Sequence, residues 1–384
     1  MRVLVWQWGR FGSGPRLAAA LTEGVRGVPG AQAMLSLSEG AELLRSATPP
    51  RCDLPVRTYN GFFGFVPRAA GAVFSVPGLA RRLRRLAPDV AVCAMPGPLD
   101  LMMVAALKLL RVPFVVLVHE VDHHPGDGLP FQFALQRLLC KHADALGALS
   151  AHVGERLKIA GLAGTPGRPL IHLNHPPVAF DVPPPRPWPK EGLRLLLFGR
   201  LREYKGLDLF AEALALLGPA PGLEVRIVGA GPECPAMDAL RALPGVTVEN
   251  RWVPEDEVGL LIGWADALIL PYREASQSGV AAAALAGGRR LLATNVGGLA
   301  EQLSNEPLAL LCEPTTPSLA DGVRRLLNLP AGSLAAASGD PDDGWRAMAL
   351  TLCQNIETLV LRRAPAGSRA AGGRAASLAA SGDT

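Results

Sequence analysis

The stretch VHEVDHHPGDGL, residues 118–129, sets His119, Glu120 and His123 in the H-E-x-x-H spacing of zinc hydrolases. That chemistry needs a helix: four-residue spacing turns both imidazoles to one face, where they share a metal, and the glutamate serves as base. The surrounding residues ask for a different backbone. The run PFVVLV ahead of His119 is β-branched and reads as a buried strand, while Pro125, Gly126 and Gly128 follow closely. His119 to His123 are therefore expected on a strand-to-loop turn, and Leu129 stands where the longer zinc pattern requires a third histidine. A polar loop at the carboxyl end of a parallel strand is where open α/β sheets bind ligands. No metal is expected; a zinc-dependent hydrolase using His119, Glu120 and His123 is the competing reading.

A second set of residues suits an anion. Arg200 and Lys205, in FGRLREYKGLDLF, lie between a strand and a helix, where a planar guanidinium and a point-charge ammonium can reach one diphosphate. In LPYREASQSGVAAAALAGG a helix is expected to start near Ser276 to Ser278, capped by either serine, with Gly279 letting a ligand approach the backbone. Free amides at such a helix start favour phosphate. A third loop, WGRFGSGPR, carries Gly9, Gly12 and Gly14 between a first strand and a helix. These do not make G-x-G-x-x-G, and no acidic residue closes an evident second strand, so a nicotinamide cofactor is not expected.

Positioning such loops takes parallel strands. RVLVWQW, DVAVCAM, PFVVLV, ALGALS and PLIHLNHP read as strands, alternating with helical patterns such as PRLAAALTEGV, VPGLARRLRRLAP and LDLMMVAALKLLR. A second series runs through RLLLFG, LEVRIVG, VTVEN, ALILP and RRLLAT. Between them, PPVAFDVPPPRPWPKEG is too rich in proline for helix or interior strand. The expected organisation is a first domain over 1–177, a Pro-rich linker over 178–191, a second domain over 192–345, a C-terminal helix over 346–363 and a disordered tail over 364–384. The fold class is α/β: two doubly wound Rossmann-like domains facing a central cleft.

With 384 residues, 49% of them hydrophobic and 19% charged, the chain has the profile of a folded two-domain protein. Its net charge of +4 is too small and its arginines too dispersed to ask for a nucleic-acid partner. The cysteines are scattered without a C-x-x-C, which suits free thiols in the cytoplasm. The N-terminal apolar run is too short for a signal peptide, and the longest apolar stretch is broken by Lys108, Arg111 and Pro113.

Taken in order, FGRLREYKGLDLFAEAL, VRIVGAGPE, VENRWVPEDEV, LILPYREASQSGV and LLATNVGGLAEQL resemble the donor domain of family 4 glycosyltransferases, retaining enzymes of the GT-B fold, over residues 194–303. The glycine loop and VHEVDHHPGDG look like that family's acceptor-side loops. The resemblance implies a hexosyltransferase moving sugar from a UDP- or GDP-sugar to a hydroxyl of a saccharide or lipid-linked saccharide, in polysaccharide or glycolipid assembly, with no cofactor beyond the donor. It implies that Arg200 and Lys205 hold the departing diphosphate and that Ser276, Gln277, Ser278 and Gly279 cradle its phosphates. His119 would contact the donor sugar near the reacting carbon, Gly12 and Gly14 would lie beside the donor, and His123, His124 and Asp127 would face the acceptor. The family's pair of glutamates falls on Ala275 and Ala283; Glu274, one residue out of register, stands in for the first, and the ribose contact is unassigned. For Arg81, Arg82, Arg84 and Arg85 the resemblance implies either peripheral contact with the inner membrane face, as acceptor domains of this fold often make, or a solvated helix face, which explains the same residues at least as well. A non-catalytic nucleotide-sugar-binding homologue is a further alternative.

Overall fold

The computed structural model describes residues 1–122, 131–178, 180–333 and 341–363. The first half contains β1 (Arg2–Gln7), α1 (Ser13–Arg26), β2 (Gln32–Leu37), α2 (Gly61–Ala70), α3 (Ala72–Leu86), β3 (Val90–Cys93), α4 (Asp100–Leu110), β4 (Phe114–Val118), α5 (Gln132–His142), β5 (Ala145–Ala148), α6 (Ala151–Ile159) and β6 (Leu170–His172). Every residue of β3, β4 and β5 is buried, as a sheet covered by helices on both faces requires. The strands pair in parallel in the order β2-β1-β3-β4-β5-β6.

The second half contains β7 (Arg194–Phe198), α7 (Leu207–Leu217), β8 (Glu224–Gly229), α8 (Pro235–Arg241), β9 (Val246–Asn250), α9 (Glu255–Trp264), β10 (Ala267–Leu270), α10 (Gly279–Ala286), β11 (Arg290–Thr294), α11 (Gly297–Leu303), β12 (Ala309–Cys312) and α12 (Thr316–Leu327); α13 (Pro341–Arg363) follows. Its sheet is parallel too, in the order β12-β11-β10-β7-β8-β9. The chain reverses direction across each sheet between β1 and β3 and between β7 and β10, so the loops after these strands border the two crevices where such sheets take ligands.

Five elements were not legible in the hydrophobic pattern: β2, α2, α6, β12 and α12. β2, QAMLSL, has a serine in its middle, yet Ser36 is buried: its hydroxyl accepts from Trp8 Nε1 at 3.0 Å and donates to Leu54 O at 2.8 Å. Glu39 lies two residues beyond the end of β2, so an acidic residue does stand at the end of a second strand, contrary to the sequence reading. The glycine spacing alone then departs from the dinucleotide fingerprint.

Residues 180–188 form a strap over the second sheet's helices. Arg186 grips the buried Asp266 through Nε and Nη2 at 2.7 and 2.6 Å, and a Cβ on Gly259 would lie 2.1 Å from Asp181 O. α13 returns to the first half: Trp345, Met348, Leu352 and Ile356 pack with Leu17, Leu21 and Val25 of α1 in one apolar core. Residues 364–384, expected to be a disordered tail, lie outside the described residues.

Candidate active site

His119 directly follows β4, at the carboxyl edge of the first sheet, and residues 119–122 are not helical. The shared helical face demanded by H-E-x-x-H is therefore absent there. His123, His124 and Asp127 lie outside the described residues. Among the described residues, no group of three or more His, Cys, Asp or Glu side chains could hold a metal ion.

His119 is buried, and Nε2 lies 2.8 Å from Ala94 O while Nδ1 lies 2.6 Å from Gln277 Nε2. A carbonyl only accepts, so Nε2 carries the proton, and the Nδ1 lone pair accepts from the Gln277 amide. Burial pushes this imidazole down to about 4; the Ala94 carbonyl opposes that shift and His175, with ring centroids 6.5 Å apart, adds to it. The ring is thus neutral at neutral pH, with both nitrogens engaged. It is suited to orienting a ligand rather than to taking a proton.

Facing it from the second half are the loops after β7 and β10. Arg200 and Lys205 follow β7, and Lys205 ends a single 3₁₀ turn. Arg273 N donates to Tyr204 O at 2.8 Å, joining the two loops. At Gly206, with φ of 67°, a Cβ would lie 1.9 Å from Pro271 O, so only glycine permits this approach. The Lys205 ammonium lies 3.6 Å from the Tyr272 ring centroid and 5.0 Å from that of Tyr204; among the described residues it has no carboxylate partner. The Arg200 guanidinium reaches the Tyr204 hydroxyl at 3.4 Å.

The loop after β10 divides into structural and open parts. Ser278 caps α10: its hydroxyl accepts from Ala281 N at 3.2 Å, while its own amide donates to Gln302 Oε1 at 2.9 Å. That amide is therefore already used. The amides of Gly279 and Val280 have no acceptor among the described residues, and a Cβ on Gly279 would meet nothing within 4 Å. Ser276 turns its carbonyl to Ser150 Oγ at 3.1 Å, across the domain boundary. Glu274 is exposed. Ala275 and Ala283 are buried in the second half's apolar core, so the two positions where the family carries glutamate point inward.

From the first half, Gln7 at the end of β1 holds the glycine loop. Its Oε1 accepts from Gly9 N at 2.9 Å, and a Cβ on Gly14 would lie 2.7 Å from its Nε2. Gly12, with φ of 79°, opens α1 toward empty space. Sequence reasoning did not find Gln7, Tyr272, His175 or Gln302, because none belongs to a spaced motif; each becomes visible through a partner distant in the chain.

Residues 38–166 match the model of glycosyltransferase family 4, and residues 192–329 that of glycosyl transferases group 1. A 2-deoxystreptamine glucosyltransferase of Streptomyces kanamyceticus is 32% identical over 153 residues, 38% of this chain and 40% of that one. A glycogen synthase of Mycobacterium tuberculosis is 29% identical over 272 residues, 65% of this chain and 64% of that one. The chain thus spans less than two thirds of the length of these curated relatives. A protein from Anabaena, solved in complex with UDP and glucose, has the same fold with a TM-score of 0.62 at 16% identity, covering 94% of this chain and 99% of that one. Two Rossmann-like domains enclosing a crevice with cations and free helix amides define the GT-B class. With both halves matched in order, the chain belongs to the group 1, family 4 glycosyltransferases.

Proposed function

We propose that the protein transfers a hexose from a UDP- or GDP-sugar to a hydroxyl of a saccharide or lipid-linked saccharide, with retention at the anomeric carbon. The observation that carries this reading is the joining of the Arg200–Lys205 turn to the start of α10, at the β7/β10 crossover, through Arg273 N to Tyr204 O. As the bond from the anomeric carbon to the diphosphate breaks, negative charge collects on the departing oxygens. Arg200, Lys205 and the amides of Gly279 and Val280 meet that charge without a metal or other cofactor. His119 stays neutral; on donor binding its Nδ1 exchanges Gln277 for a sugar hydroxyl. Since Ala275 and Ala283 offer no carboxylate, ribose is held from outside those positions. Such transfer would serve polysaccharide or glycolipid assembly on the cytoplasmic side, and among the described residues no single helix is long and apolar enough to cross a membrane.

Titration with a panel of UDP- and GDP-sugars tests the donor. Arg200→Ala and Lys205→Ala are each expected to weaken binding at least about tenfold, the worth of one charge-assisted contact. Unchanged affinity in both variants would remove the diphosphate assignment. Proton NMR of the product must show the donor's anomeric configuration, and binding without turnover on any acceptor would mean a non-catalytic homologue.

A further inference from the structure

We propose that the cavity bordered by Gln277, His175 and α13 is a binding site for a neutral saccharide of one or two rings, separate from the donor crevice and coupled to it through Gln277. The site stands on its own geometry, and only the direction of the coupling rests on the transfer reading.

The cavity measures about 560 Å³, within the range of small-molecule sites, and lies where three parts of the chain meet. The first half contributes the loops after β5 and β6, the second half the start of α10 and the end of α11, and α13 closes the remaining side. Arg200 and Lys205 lie outside its wall. Among the described residues no lysine or arginine lines it, whereas Glu301 and Glu306 do, which disfavours a phosphate or any other anion. A cation gains little either: both Glu301 oxygens already accept from Ala151 N at 2.8 Å, and burial raises the Glu306 carboxyl.

What remains is a set of uncommitted hydrogen-bonding groups. His172, Asn174, Asn305 and Glu306 make no side-chain hydrogen bond with any described residue. His175 donates from Nδ1 to Pro176 O at 2.9 Å, which leaves Nε2 as an acceptor with no partner among the described residues. Gln277 Oε1 is buried and also lacks one. The buried Leu149, Leu173 and Met348 add an apolar floor. A sugar ring matches both features, since its hydroxyls donate to carboxyl, imidazole and amide acceptors while its C–H face covers apolar side chains.

Gln277 links this cavity to the reaction. Its Nε2 lies 2.6 Å from His119 Nδ1, and the His175 and His119 ring centroids are 6.5 Å apart. Gln302, also in the wall, holds the Ser278 backbone at the start of α10 with both ends of its amide, at 2.9 and 3.1 Å. In the transfer reading, donor binding makes Gln277 give up His119. A saccharide hydroxyl in the cavity accepts the released amide, so occupancy favours the donor-bound arrangement.

The full-length protein, titrated with glucose, galactose, mannose and maltose and followed by ligand-observed NMR, should bind at least one of them. Ala347→Trp, at an exposed position in the α13 wall, and Asn305→Ala/Glu306→Ala should each weaken that binding at least about tenfold. In the wild type the bound sugar should raise nucleotide-sugar affinity at least about fivefold, a gain that Ala347→Trp abolishes. No binding of any of the four sugars, undiminished binding in both variants, displacement of the sugar by inorganic phosphate, or nucleotide-sugar affinity that stays level or falls overturns the proposal. Sugar binding lost in both variants, with no nucleotide sugar bound by any form, upholds the cavity and removes the transfer reading alone.

Discussion

His119 shows how a motif changes meaning once its partners are known. Its spacing to Glu120 and His123 suggested a metal, but its ring bridges Ala94 O and Gln277 and is held neutral by burial. Gln277→Ala should therefore weaken the contact between the halves by about 1 kcal/mol, measurable by chemical denaturation. The pH response follows from the depressed pKa. The neutral imidazole is favoured in the folded state, so its stabilisation is complete above about 6.5 and fades as pH falls from there to about 4. Relative to His119→Gln, wild-type stability should drop across that window by on the order of 3 kcal/mol; parallel curves would contradict the assignment. Asp100 behaves in the opposite sense. Burial raises its carboxyl to about 7, against the pull of the Gly97 amide at 2.7 Å, and its Oδ1 has no hydrogen-bond partner among the described residues. Its stabilisation belongs to the protonated form and fades as pH rises from about 4 to about 7. Asp100→Asn keeps an acceptor for Gly97 and should raise the melting temperature at pH 8 while changing little at pH 4. Residue types alone marked His119, Arg200 and Lys205 as able to do chemistry; they could not show that the histidine is saturated, because both partners lie far along the chain.

At the scale of elements, α10 presents the Gly279 and Val280 amides, which have no acceptor among the described residues, and two contacts hold its start in place. Ser278→Ala removes the cap and should cost about 1 kcal/mol. Gly298→Ala should cost more, about 1–3 kcal/mol, because its Cβ would lie 1.8 Å from Ser276 O and displace the loop. Donor affinity should fall with Gly298→Ala, and a crystal structure would show α11 shifted from the loop. The serine cap and the strand-to-helix turns were legible because capping and alternation are local physics. The commitment of the Ser278 amide to Gln302 was not, since its partner lies on α11, 24 residues further along the chain and beyond β11. β2 escaped notice for a related reason: Ser36 looks like a break in the pattern until Trp8 and Leu54 satisfy its hydroxyl.

Across the whole molecule the two halves are joined at several points besides the His119–Gln277 bridge. Arg16 pairs with Glu255, Glu255 N donates to Glu42 Oε1 at 3.1 Å, and both Glu301 oxygens accept from Ala151 N at 2.8 Å. α13 adds its apolar face to the first half's core after the chain has completed the second sheet. Leu352→Ala should consequently destabilise the first half by about 2–5 kcal/mol, seen as earlier proteolysis of residues in α1 than in α7. The sequence by itself determined two parallel α/β sheets and the break between them, because hydrophobic period and proline content are local properties. Only the tertiary structure decided which amides at α10 stay free, that His119 is neutral and bridged and that α13 folds back onto α1. Those outcomes depend on contacts between residues far apart in the chain, and no spacing rule encodes them.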